Sequence, residues 1–68
     1  MQNTLVKITL AAARINKGLT QEQAAKELKV SKKTLWSWEN GKTIPKIDKI
    51  EAICKLYGVS YENIIWGS

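Results

Sequence analysis

Histidine is absent from the sequence, and cysteine and proline occur once each. With no histidine, no cysteine pair, no glycine-rich phosphate loop and no cluster of carboxylates, nothing is arranged for acid–base catalysis, nucleophile activation or metal binding. An enzyme is therefore not expected, and neither is a cofactor. The lone Cys54 rules out an internal disulfide. No apolar run approaches the ~18 residues of a membrane span, nor is there a signal-peptide core, so a cytoplasmic protein without a membrane partner is the expectation. Length sets a further bound: 68 residues make one small domain, residues 1–68, near the size at which a helical bundle still folds without a staple. That leaves no second domain for a small-molecule effector, and none is expected.

Acidic residues are also few. Eleven Lys and Arg against six Asp and Glu leave a net charge of +5, which suits a polyanionic partner or serves solubility alone. The distribution is more telling than the total. Between Lys29 and Lys46 five lysines stand against one glutamate, so that +4 of the +5 sits in this short segment. Outside it, Lys7, Lys26, Lys49 and Lys55 read as solvated positions.

What the chain does contain is helix punctuation. Three triplets place a helix stop, an aliphatic residue and a hydroxyl in succession: Gly18-Leu19-Thr20, Lys29-Val30-Ser31 and Gly58-Val59-Ser60. In each, the first residue takes the left-handed conformation, the aliphatic side chain packs back on the finished helix, and the hydroxyl caps the next one. Gln23, three residues after Thr20, completes a capping box. Pro45 follows Gly41-Lys42-Thr43-Ile44, the one loop-like interior stretch. These signals predict helices at about 4–17, 21–28, 32–40, 47–57 and 61–66. Apolar spacing agrees. Val6, Leu10, Ala13 and the stem of Lys17 share one face of the first helix, Ala24, Ala25 and Leu28 one face of the second, and Ile47, Ile50, Ile53, Cys54 and Tyr57 one face of the fourth. The β-branched patch Lys7-Ile8-Thr9 falls within helical spacing, so the class expected is all-α. Cys54, at an interior position of the fourth helix, reads as a small core residue.

Two helices joined by the Lys29-Val30-Ser31 corner have the sequence form of a helix-turn-helix. On the second of them Val30, Leu35 and Trp38 fall to the core side. Lys32, Lys33, Trp36, Ser37 and Asn40 fall to the other, free to touch a partner.

At this point the residues Thr20-Gln21, Ala25, Leu28, Val30-Ser31, Thr34-Leu35, Trp38-Glu39-Asn40-Gly41-Lys42 and Pro45 resemble the Cro/phage-repressor helix-turn-helix family, also called Xre-like. Lys17-Gly18-Leu19-Thr20-Gln21 and Ile53-Cys54 with Tyr57-Gly58-Val59-Ser60 extend the resemblance over nearly the whole chain. It implies a compact five-helix, lambda-repressor-like domain that binds a double-stranded DNA operator, as a Cro-like phage or prophage repressor does. By the same resemblance, Gln21 matches a phosphate-bonding position, Lys32, Lys33 and Ser37 match base-reading positions, and Asn40, Lys42 and Thr43 match backbone-contacting ones. Trp36 is less expected on that face, where its bulk would cover a thymine methyl or press on sugar atoms. Lysine donates to guanine O6 and N7 and cannot accept from adenine, so at least one guanine is expected opposite Lys32 or Lys33. The resemblance also suggests a partly buried ion pair between Arg14 and Glu39. It sets Lys29 apart, because glycine is usual at that turn and a residue with a Cβ there costs roughly 1–2 kcal/mol.

One recognition helix sees few base pairs, so a homodimer spanning two half-sites about one DNA turn apart is expected. Trp66 either folds back on the core or joins Tyr61, Ile64 and Ile65 in a dimer contact. Two other binding roles fit the same scaffold: an antitoxin-type protein that also holds a partner protein through its apolar C-terminal end, and nonspecific nucleic-acid binding.

Overall fold

The first helix starts later than its apolar spacing predicts, because Thr9 stops the chain from being helical before it. In the computed structural model, which describes residues 7–67, Thr9 is extended (φ −72°, ψ 159°) and its Oγ1 accepts the amide of Ala12 at 3.1 Å. That bond caps helix α1, Leu10–Asn16. Ile8–Thr9 instead forms a short strand, β1, which pairs in parallel with β2, Ile64–Ile65, in the register Ile8 to Ile64 and Thr9 to Ile65. Helical spacing at Lys7-Ile8-Thr9 was therefore misleading. β-branched residues are content in either context, and the partner that settles the matter lies at the other end of the sequence. Val6, assigned to the same helical face, lies outside the described residues. Lys17 is exposed and closes α1 through its backbone amide rather than laying its stem on the core.

Between the strands run α2 (Gln21–Leu28), α3 (Lys32–Glu39) and α4 (Ile47–Tyr57), then a single 3-10 turn at Tyr61–Asn63. The described residues thus hold four α-helices rather than five, with a two-stranded parallel sheet joining the two ends of the domain. The predicted fifth helix shrinks to one turn because Ser60 gives it no side-chain cap and Ile64-Ile65 leave it for the strand. Among the described residues no helix is long and apolar enough to cross a membrane.

The left-handed stops of the three punctuating triplets behave as their chemistry requires, and Thr20 and Ser31 cap the helices that follow, whereas Ser60 makes no side-chain cap bond. Gly18, Lys29 and Gly58 have φ of +79°, +60° and +69°. The amide after each reaches back five residues to a carbonyl of the finished helix: Leu19 to Arg14 at 3.2 Å, Val30 to Ala25 at 3.0 Å and Val59 to Cys54 at 3.1 Å. These corners fold the helices around a core of Leu10, Ala13, Ala24, Ala25, Leu28, Leu35, Trp38, Ile53, Tyr57 and Ile64. Ile50 is buried as expected, Cys54 is half-buried and burial raises its thiol pKa, as suits a packing residue. Ile47 departs from its predicted face: at the first position of α4 it is 69% exposed, because the helix has not yet reached the body of the domain. Ile64 is only 2% exposed and belongs to the core. Trp66 folds back against that core, its Nε1 donating to the Tyr61 carbonyl at 3.0 Å and its ring stacked on Tyr61 at a centroid distance of 5.6 Å.

Candidate nucleic-acid interface

Two capped helices form the site. At the start of α2 the capping box is complete: Thr20 Oγ1 accepts the Gln23 amide at 3.0 Å and Gln23 Oε1 accepts the Thr20 amide at 2.9 Å. The helix ends at Lys29, whose left-handed backbone (φ 60°, ψ 42°) turns the chain, and Ser31 then caps α3 by accepting the Thr34 amide at 3.0 Å. The corner is tight enough that Val30, Leu35 and Trp38 all face inward.

Opposite them, α3 presents an exposed face. Lys32 and Lys33 are exposed in its first turn, Trp36 is 45% exposed one turn on, and Ser37 is half-buried beside it. No acidic residue occupies that first turn. Two lysines at the positive end of a helix oppose its dipole, at a cost of a few tenths of a kcal/mol each. This is an arrangement poor for stability and favourable for an anion.

Behind this face lies a partly buried polar knot. Arg14 Nε donates to Glu39 Oε2 at 2.7 Å and Nη2 to Oε1 at 3.3 Å, while Nη1 donates to the Leu19 carbonyl at 2.8 Å. The two side chains are 12% and 4% exposed, so the pair joins α1 to the end of α3 inside the domain. The Tyr57 hydroxyl is buried close to both charges and has no hydrogen-bond partner among the described residues. Burial, reinforced by the Glu39 carboxylate and partly offset by Arg14, pushes its pKa up to about 12.

Residues 10–64 match the family described as helix-turn-helix. The chain belongs to the Cro/Xre-like helix-turn-helix family. It is 36% identical over 58 residues to the HTH-type transcriptional activator BcrR of Enterococcus faecalis, a stretch covering 85% of this chain and 28% of that protein. It is 33% identical over 52 residues to the cryptic phage CTXphi transcriptional repressor RstR of Vibrio cholerae, covering 76% of this chain and 47% of that one. The chain thus spans less than half the length of either relative. No solved structure matches it.

The remaining positions expected from the sequence to contact a nucleic-acid backbone are disposed unequally. Lys42 and Thr43 are exposed in the loop after Gly41, whose φ of +71° turns the chain off α3. Gln21 is half-buried, and its Nε2 donates to Glu39 Oε1 at 2.9 Å. Asn40 is folded back on its own helix, with Nδ2 donating to the Trp36 carbonyl at 2.8 Å. One of its two side-chain N–H groups is therefore already used.

Lys49 departs from its sequence reading as a solvated charge. Its Nζ donates to the Leu28 carbonyl at 2.8 Å, placing a cation at the C-terminus of α2 beside the strained Lys29 corner. Local sequence holds no sign of this, since the partners are 21 residues apart. The candidate dimer set also divides. Tyr61 is 56% and Ile65 38% exposed and Trp66 is half-buried, whereas the buried Ile64 has no surface to offer.

Proposed function

We propose that this chain is the sequence-specific DNA-binding unit of a transcriptional regulator, with α3 entering the major groove of a palindromic operator bound by a homodimer. The observation that carries the reading is the first turn of α3, where Lys32 and Lys33 are exposed at the positive end of a capped helix with no acid to balance them. Lys32, Lys33, Trp36 and Ser37 read base edges, while Gln21, Asn40, Lys42 and Thr43 hold phosphates and set the docking register. The protein acts as a repressor, the role that the name of RstR gives to that relative, and it does so by occupying the operator and occluding polymerase. The name of the other relative, an activator, makes activation the competing outcome.

Dimerisation is assigned to the exposed apolar residues at one end of the domain. Tyr61 and Ile65 are exposed there, and Ile44, itself 60% exposed, lies close enough to Gly67 that a Cβ on that glycine would collide with its side chain. The rival occupant of this surface is a different protein, as in an antitoxin.

Selection of bound sites from random DNA, followed by affinity measurements at fixed salt, tests the reading. Success is a palindromic consensus with half-sites about one turn, ~34 Å, apart, a guanine opposite Lys32 or Lys33, and a preference over random DNA of at least ~10³. Lys33→Ala then relaxes one base position. Equal binding to all sequences, weakened uniformly by Lys33→Ala, refutes specific readout. A complex of one chain on a palindrome refutes the dimer.

A further inference from the structure

The Gln21 carboxamide is held before any ligand arrives. Its Nε2 donates to Glu39 Oε1, and the orientation of the amide follows from chemistry, because an ionised carboxylate only accepts and would repel the Gln21 carbonyl oxygen. Glu39 is fixed in turn by the Arg14 fork, which engages both carboxylate oxygens while Arg14 Nη1 is tied to the Leu19 carbonyl at the α1–α2 corner. Three helices thus meet at one carboxylate: α1 through Arg14, α2 through Gln21 and α3 through Glu39 itself.

Resting on the DNA-binding reading above, we infer that Glu39 is a positioning residue for the phosphate contact of Gln21 and locks that contact to the recognition helix. One N–H of the carboxamide is spent on Glu39, which leaves the other as the donor to a phosphate oxygen. Two consequences follow for binding. The rotamer freedom of a glutamine, which a flexible side chain would lose on contact, is already lost in the free protein. The side chain that grips the backbone is also bonded to the last residue of α3, so the phosphate grip and the helix in the groove move as one body. Arg14 has a second role in this arrangement. By pairing with Glu39 it offsets a negative charge that would otherwise repel the approaching phosphate.

The test is a double-mutant cycle on operator affinity with Gln21→Ala, Glu39→Gln and both, each also followed by thermal unfolding. Freezing one glutamine side chain corresponds to about tenfold in affinity. Gln21→Ala is accordingly expected to weaken operator binding roughly tenfold in the natural background and at most about twofold in Glu39→Gln. A purely structural Glu39 gives losses that multiply independently, and that result overturns the proposal. A core variant away from the knot, Ile53→Val, lowers the melting temperature without this coupling.

Should Glu39→Gln fail to fold, the side-chain amide resonances of Gln21 in the unaltered protein decide. One proton is expected downfield and protected in the free protein, and the second shifts only when operator is added. A pair of resonances like those of a solvated glutamine in the free protein overturns the proposal whatever the DNA result. A protected proton in a protein that selects no operator overturns the DNA-binding reading instead.

Discussion

Lys29 occupies a backbone conformation that its Cβ disfavours, with φ at +60° and ψ at 42°. The corner tolerates it because the chain is held on both sides. Leu28 is buried and its carbonyl receives Lys49 Nζ, while the Val30 amide bonds the Ala25 carbonyl at 3.0 Å. Replacing Lys29 with glycine removes a left-handed penalty of about 1–2 kcal/mol. Glycine gives back about 0.5–1 kcal/mol through the greater freedom of the unfolded chain. The net gain is roughly 0.5–1 kcal/mol, which in a domain of this size raises the melting temperature by about 3–6 °C. Asparagine accepts the left-handed region without glycine's flexibility and should recover much of the gain, whereas alanine keeps the strain and should match lysine. Thermal and urea unfolding of Lys29→Gly, Lys29→Asn and Lys29→Ala therefore have a fixed expected order: glycine and asparagine above alanine and lysine. The use of alanine separates strain from loss of charge. If Lys29→Gly is no more stable than Lys29→Ala, the corner does not store the strain assigned to it.

Three further perturbations address the knot and the apolar end. Tyr57→Phe deletes a buried hydroxyl that has no partner among the described residues and should leave stability unchanged or raise it by up to about 1 kcal/mol at neutral pH. Because the folded pKa of Tyr57 is raised from 10.0 to about 12, its stabilising contribution is fully present below pH 10 and is lost as pH rises through 12. Urea midpoints at pH 9 and 11.5 should therefore fall further in the natural protein than in Tyr57→Phe, and equal falls would argue against burial of this hydroxyl. Glu39→Ala strands the Arg14 guanidinium inside the domain and should cost about 2–4 kcal/mol, less than the full penalty of a broken buried pair because the Leu19 carbonyl still accepts from Arg14. An unchanged denaturation midpoint would mean that the pair contributes nothing. Ile65→Lys, at a half-exposed strand position, should weaken self-association about tenfold in sedimentation equilibrium while shifting the melting temperature by less than about 3 °C. Undiminished association would place the dimer contact elsewhere.

Most of the helical framework was legible because its determinants are local. A left-handed residue, an aliphatic residue and a hydroxyl define a corner within three positions, so Gly18-Leu19-Thr20 and Lys29-Val30-Ser31 marked both ends of α2 and the start of α3 without reference to the rest of the chain. The exposed face of α3 was readable for the same reason. Helical spacing alone separates Lys32, Lys33, Trp36 and Ser37 from Leu35 and Trp38. The departures share the opposite character. Ile8-Thr9 became a strand only because Ile64-Ile65 lies beside it, and Ile64 left the apolar surface for the core through that same pairing. Ile47 followed the spacing of its helix but not its burial, since exposure depends on where a helix end meets its neighbours.

The side-chain network behind the site divides along the same line. The resemblance in sequence suggested that Arg14 and Glu39 pair, but not that Gln21 shares the carboxylate, that the Tyr57 hydroxyl is buried near it with no partner among the described residues, or that Lys49 reaches the end of α2. Sequence by itself determined the helix boundaries set by caps and left-handed stops, the basic face of α3, and the family. Tertiary structure alone decided that Gln21 and Lys49 find polar partners, how β1 and β2 are joined, and which apolar side chains remain exposed. Caps and periodicity act over a few residues and are written in order along the chain, whereas a contact between distant residues exists only once the helices between them have packed.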